Sequence, residues 1–311
     1  MTTCTFSSPE AYVAGIGNAN LRVSLTLRKS QVPWMFSSLD LPNLRLQWGQ
    51  GGGCTLTEGA VVREGGVILF PTQNARAMRM NGHRFDTQTF RLQLQGDELS
   101  LASTEPHRWF SLSIPGDLLA EWSGAGVTGR ALSSRFFQIS KDRAETFRRA
   151  VRHLGLIVQR SPDALESSAA VKATARKLTD LVRESIWGTP ITATPIGRQS
   201  ISRSQIVRVV MDSIDGLDGE FVTVPDLASA AGVSERTLRS AFHDYFGIGP
   251  VQFLRLRTLN QVRAALRDSD PSMTTVTEVA TRFGVWELGR LARDYRLLFG
   301  ELPSATLRSA H

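Results

Sequence analysis

The 311 residues predict a multidomain chain: an all-β domain first, a helical stretch after it, and an all-α domain at the end with two helix-turn-helix units joined by a long helix. Three observations carry this. From about Leu21 to Leu118, apolar and polar residues alternate in short runs broken by glycine. After Pro115 the apolar spacing changes to three and four. In the last 95 residues, two segments about 50 positions apart repeat one order of alanine, glycine, an arginine-bearing helix and an aromatic residue.

The alternating runs are Leu21 to Arg28, Leu44 to Trp48, Val67 to Phe70, Phe90 to Leu94 and Trp109 to Ile114. Period two with polar partners is the pattern of strands with one wet face. Gly51-Gly52-Gly53, Gly65-Gly66, Asn81-Gly82 and Gly96-Asp97 supply turns at the spacing of a β-sandwich or small barrel of roughly 120 residues. Two amphipathic helices follow. In 142–160 the stripe is Phe147, Val151, Leu154 and Ile157; in 168–187 it is Val171, Ala175, Leu178, Val182 and Ile186, widened by Leu181. Either these helices pack on the sheet and also meet a second copy of the chain, or they only pack on the sheet. Two prolines and two glycines between Trp187 and Gly197 mark a joint, and a third helical stripe runs through Ile206, Val210, Met211 and Ile214.

In the first repeated unit, Asp226 after Pro225 begins a helix whose Leu227, Ala230 and Ala231 face inward. Gly232 ends it in the left-handed conformation that a tight inter-helix turn needs, and Ser234 caps the next helix. That second helix places Leu238, Ala241, Phe242 and Tyr245 on one face. Arg236, Thr237, Arg239, Ser240 and His243 are left with Ser234 as candidate DNA contacts, since an exposed arginine near a helix N-terminus can grip guanine by paired hydrogen bonds. The second unit runs from Thr275 through Val279 and Ala280 to Gly284, and its following helix is expected to bury Leu288, Leu291, Tyr295 and Leu298. Trp286, Glu287, Arg290 and Arg293 are its candidate contacts, with Arg296 also outward, and Trp286 stands either to stack on a sugar or to pack under the turn. Between the units Pro250 opens a helix from Val251 to Arg267 striped by Phe253, Leu254, Leu259, Val262, Ala265 and Leu266. Such a rod, roughly 25 Å long at 1.5 Å per residue, would set two reading helices near the ~34 Å spacing of consecutive major grooves.

Charge adds less than its sum suggests. The net +7 comes from residues 130–210, with 15 basic against 6 acidic side chains; residues 217–311 carry 11 of each. DNA binding by the C-terminal part would therefore rest on where arginines lie and not on bulk charge. The start of the chain has no signal-like h-region and no long apolar run occurs, so a cytoplasmic location is expected. Cys4 and Cys54 read as free thiols. The five histidines form no His-x-His pair, and no Gly-x-Ser-x-Gly or Walker pattern appears. No catalytic residue, metal or cofactor is expected.

The run Gly232-Val233-Ser234, Arg236, Leu238 and Phe242, then Gly249-Pro250, Phe253-Leu254, Leu256-Arg257 and Ala264-Ala265-Leu266, then Val279-Ala280, Phe283-Gly284 and Phe299 to Ser304 carry a resemblance. Residues 217–309 resemble the DNA-binding domain of AraC/XylS-type transcription regulators. This implies a bacterial-type regulator in three parts: a cupin-like effector-binding and dimerisation domain over 1–140, a helical dimerisation and linker region over 141–216, and the double helix-turn-helix domain over 217–311. Promoter DNA, a second copy of the chain and, for the favoured reading as an activator, RNA polymerase are the implied partners. Val285 and Leu291 stand where phenylalanines are usual, and Glu287 and Gly289 where small polar residues or histidine are frequent, which weakens base reading by the second unit.

For the effector, Arg76, Arg79, Arg84 and Arg91 gather around the Asn81-Gly82 turn and could hold an anion, whether a carboxylate, a phosphate or a cyclic di-GMP-like nucleotide. A charged, solvated strand edge is the competing reading. Two other functions remain open: a cupin-fold enzyme with an accessory DNA-binding domain, and a constitutive DNA-binding dimer without an effector.

Overall fold

A computed structural model describes residues 2–6, 8–26, 32–41, 44–124, 135–160, 168–187, 203–215 and 222–309. The elements in chain order are β1 (Thr2–Phe6), α1 (Pro9–Ala14), β2 (Ala19–Leu25), β3 (Trp34–Leu41), β4 (Leu44–Gly51), β5 (Thr55–Val61) and β6 (Gly66–Gln73). After a 3-10 turn at Ala75–Ala77 come β7 (Met78–Met80), β8 (His83–Arg84), β9 (Thr89–Leu94), β10 (Glu98–Ser103), β11 (His107–Ile114), α2 (Gly116–Gly124) and β12 (Arg135–Gln138). The helices α3 (Lys141–Arg160), α4 (Ser168–Trp187), α5 (Arg203–Asp215), α6 (Val224–Ala230), α7 (Glu235–Phe246), α8 (Pro250–Arg267), α9 (Val276–Arg282), α10 (Leu288–Phe299) and α11 (Pro303–Arg308) follow.

The strands form two antiparallel sheets. The larger is ordered β1-β3-β4-β11-β6-β9-β12 and the smaller β2-β5-β10-β7-β8. Every run read as a strand lies in one of them, although Leu27 and Arg28, like the joint at 188–197, fall outside the described residues. The Asn81-Gly82 turn joins β7 to β8 with positive φ at both residues (47° and 80°), the geometry a two-residue hairpin demands.

The expectation of one wet face per strand needs correction. The larger sheet is covered on both sides. One face meets α3 and α4, whose Phe147, Val151, Leu154, Leu178 and Val182 pack with Leu46, Ile68, Phe70, Leu92, Phe110 and Leu112. Phe147 sets its ring edge-on to Phe70 at 5.0 Å, an arrangement that adds about 0.5–1.5 kcal/mol to simple burial. The opposite face meets the smaller sheet through Phe36, Leu69, Met78, Met80 and Trp109. Gln47, Gln93 and Ser111, the polar members of the alternation, therefore point between the sheets and are buried. Alternation reports that two faces differ; it does not report that the polar one meets water. Side chains of Ile157, Val171, Ala175 and Ile186 lie outside the described set.

The helical part has two cores. α5, α6, α7 and the start of α8 enclose Ile206, Val210, Leu227, Leu238, Phe242 and Phe253, while the rest of α8 closes with α9, α10 and α11 over Val262, Val279, Leu291, Tyr295 and Leu298. The two pairs α6–α7 and α9–α10 are built alike. Thr223 with Asp226 and Thr275 with Glu278 form capping boxes, and Gly232 (φ 62°) and Gly284 (φ 70°) supply the left-handed turn. α6 thus starts at Val224, with Pro225 inside its first turn and not before it. Ala228 takes the buried place expected for Ala230, and Leu288, on the first turn of α10, stays exposed instead of buried.

Glycines test this packing from opposite directions. A Cβ on Gly49 would fall inside the Trp109 indole, whereas one on Gly289 in α10 meets nothing within 4 Å. Gly49→Ala is expected to cost about 1–3 kcal/mol by overpacking. Gly289→Ala is expected to add about 0.5–1 kcal/mol by restricting the unfolded chain. Thermal melting of the two variants checks both signs.

Candidate functional site

On α7 the N-terminal half is presented to solvent and the C-terminal half is held. Ser234 caps the helix, accepting from the Thr237 amide at 3.2 Å. Arg236, Thr237, Arg239, Ser240 and His243 are exposed, and Arg239 pairs with Glu235 one turn back at 2.5 Å. An exposed pair of this kind is worth about 1 kcal/mol or less, so Arg239 can exchange it for another acceptor.

The far end of α7 abuts the smaller sheet. Arg79 on β7 donates to the backbone carbonyls of His243, at 2.9 Å, and of Asp244. A cation on the last carbonyls of a helix satisfies groups the helix cannot and meets the negative end of its dipole. Tyr245 sits against Gly82, Asp244 pairs with Arg203 at 2.8 Å, and Ala102 and Leu56 of the sheet enter the core of the first helix pair. α8 is tied to the same domain: Asn260 both donates to and accepts from the backbone of Leu25 at 3.2 Å, and Arg263 reaches Glu10 of α1 at 3.3 Å.

The second unit differs at its reading helix. Glu287 precedes α10 without capping it and pairs with Arg290 at 3.4 Å. Trp286 is 78% exposed, so of its two expected places the one under the turn is not taken. Arg290 and Arg293 are exposed, yet both approach Asp294, at 3.8 and 3.5 Å, and Arg255 of α8 closes on it at 2.5 Å. The Asp294 side chain is only 5% exposed and serves as a shared anchor for three arginines.

The four arginines around the hairpin separate. Arg79 is engaged with α7, Arg84 faces it across the hairpin and is exposed, and Arg76 is exposed on the 3-10 turn. Arg91 is buried, stacked 4.6 Å over the Phe136 ring, and burial lowers its pKa.

The alternation conceals a further feature, a cavity of about 90 Å³ between the two sheets. Its wall is mostly apolar, with Met80, Leu101 and Trp109 among its residues, and Gln47, Gln93 and His107 supply polar groups. Gly49 and Gly51 on β4 leave room there for Trp109 and His107 on β11. His107 is neutral: burial lowers its pKa to about 4, against a weaker opposing hydrogen bond to the Glu105 carbonyl. Among the described residues no cluster of three or more His, Cys, Asp or Glu could hold a metal ion. No described helix is long and apolar enough to cross a membrane.

A repeated short helix, glycine turn and exposed reading helix, strung on one long helix, define a DNA-binding domain of the double helix-turn-helix class. Residues 227–309 match the family model described as "Helix-turn-helix domain". The XylDLEGF operon transcriptional activator of Pseudomonas putida is 40% identical over 87 residues, 28% of this chain and 27% of that protein. The solved structure of a probable AraC family transcriptional regulator from Rhodopseudomonas palustris CGA009 is 37% identical, covering 34% of this chain and 97% of that one, with a TM-score of 0.31. The AraC-like transcriptional activator CuxR aligns over 84% of this chain and 94% of its own at 15% identity and a TM-score of 0.42. Residues 227–309 are a helix-turn-helix domain of the AraC/XylS type of DNA-binding transcription regulator. The match spans only about a quarter of that Pseudomonas putida activator's length.

The neutral imidazole has a pH consequence. The pKa of His107 is lower in the folded chain than in the unfolded one, so the unfolded state binds the extra proton first and stability falls as pH drops from about 6.5 to about 4. The full shift corresponds to about 3 kcal/mol. A His107→Gln variant is expected to lose less stability than the parent between pH 7 and pH 4, read by thermal melting across that window.

Proposed function

We propose that this chain is an effector-responsive, sequence-specific DNA-binding transcription regulator working as a cytoplasmic homodimer. Residues 217–311 read promoter DNA, residues 1–140 form a cupin-like effector and dimerisation domain, and 141–216 link the two, with α3 and α4 available to a second copy. The first unit reads bases with Ser234, Arg236, Thr237, Arg239, Ser240 and His243. The second sets register and grips the backbone with Trp286, Arg290 and Arg293, since Glu287 opposes phosphate at its start. The activator named among the relatives favours activation, with RNA polymerase as the further partner.

One observation carries the effector-responsive reading: the smaller sheet is shared. Met80 lines the cavity while Arg79, the next residue and so on the opposite face, holds the C-terminus of α7. On β10 Leu101 lines the cavity and Ala102 packs into the core of the first helix pair. A molecule that alters the spacing of the sheets acts on strands that also seat the reading helix, which gives it differential contacts with two domain arrangements.

Gel-shift titration tests the DNA-reading assignment. Each well-made arginine–guanine pair contributes about 1–3 kcal/mol of discrimination, so the double variant Arg236→Ala, Arg239→Ala is expected to lose at least about tenfold in promoter affinity. Undiminished binding would remove α7 as the base-reading helix.

A further inference from the structure

The cavity between the sheets is lined by residues with several unpaired hydrogen-bond donors, one unpaired acceptor (Asn18 Oδ1) and no charge. Trp34 lines it, and its indole N–H is buried with no protein partner. Tyr12 accepts at its hydroxyl from Trp109 Nε1 at 2.8 Å, which leaves its own O–H free to donate, and burial raises its pKa so that it stays protonated. The Gln47 carbonyl takes the Asn18 amide and, at 3.2 Å, the Ser111 hydroxyl; its NH2 end and that of Gln93 have no protein partner. Gln47 and Gln93 are 0% and 3% exposed. A buried donor left unpaired costs about 1–3 kcal/mol, and several around one cavity call for an acceptor inside it.

No ionised side chain lines this space. His107 is neutral, and Arg91, on the same strand as Gln93, stacks on Phe136 and opens instead to the cleft where the sheet meets α5 and α7. An anion would lose its hydration without gaining a counter-charge, and so would a cation. Arg79, which a hairpin anion site would need, has its Nη1 engaged by two carbonyls of α7.

The geometry points to an uncharged effector: a compact, largely apolar molecule carrying a carbonyl- or hydroxyl-type oxygen, bound between the sheets with that oxygen facing the donors of Trp34, Tyr12, Gln47 and Gln93. This rests on the effector-responsive reading above and names the ligand class of that response. An anionic effector at the arginine hairpin is the alternative it displaces.

Isosteric probe pairs applied to the full chain separate the two. Benzamide with benzoate, and propionamide with propionate, differ in charge and hardly in shape, and at pH 7.5 both acids are ionised. Trp34 and Trp109 line the cavity, so binding is read by tryptophan fluorescence and by thermal shift. At least one amide is expected to bind, at least tenfold tighter than its acid. A Gln47→Leu, Gln93→Leu variant should lose at least tenfold of that amide affinity, and because Gln47→Leu also strips the Asn18 amide and the Ser111 hydroxyl of their acceptor, it is expected to melt lower than the parent. Trp34→Phe, which keeps a ring and removes the N–H, should weaken the amide without loss of fold and carries the test if the double variant misfolds. An acid that binds as tightly as its amide, binding indifferent to these substitutions, or a cavity that takes none of the four probes overturns the proposal. The effector-responsive reading fails separately, where the amide binds with the expected selectivity and promoter affinity is unchanged by it.

Discussion

The smaller sheet has packing partners on both faces, the larger sheet inside and α7 over part of its outer side, and the rest of the molecule is arranged around that constraint. Its inner side chains close a cavity with the larger sheet, and its outer side chains seat α7 and the first helical core. Because neighbouring residues of a strand point to opposite faces, Met80 and Arg79 cannot change places without a one-residue slip that would put a guanidinium into the cavity and a methionine onto a helix terminus. The Asn81-Gly82 turn fixes that register where the strand is too short to fix it alone, since β7 has three residues and β8 two.

The helical part shows how one local design serves two purposes. The capping boxes, the glycine turns and the left-handed caps at Gly247 and Gly300 repeat between the pairs, so α7 and α10 are positioned by the same backbone physics. They diverge at the first turn. α7 begins on a serine that satisfies an amide and leaves the helix end attractive to phosphate; α10 begins on a glutamate that satisfies none and brings negative charge to that end. Relatedness is visible in the scaffold and specialisation in the surface.

Much of this was legible in the sequence, and the losses have physical causes. The long runs and both repeated units declared themselves because their apolar periods persist for several turns or strand repeats. β7, β8 and the four-residue β12 are too short to show a period at all. Gln47, Gln93 and Ser111 were visible as polar members of alternating strands, but alternation is blind to a second layer, so a buried polar face looked like a wet one. Arg79 was singled out for its charge; that its partners are backbone carbonyls 164 and 165 residues away depends on tertiary docking, which no local pattern encodes. Trp286 shows the reverse failure, since a large aromatic next to a turn suggests burial and this one faces solvent.

The buried Asp294 on α10 also bears on how the proposed DNA contacts of that helix answer to ionic strength. Three guanidiniums converge on one carboxylate, so a phosphate arriving at Arg290 or Arg293 meets cations already partly neutralised from below. The counterions released from DNA on contact follow the charge actually transferred to the backbone, not the number of arginines in reach. Under the proposed DNA contacts of Arg290 and Arg293, affinity supplied by the second unit would decline with added salt less steeply than its arginines alone imply, with Asp294 as a built-in damper on non-specific attraction to DNA.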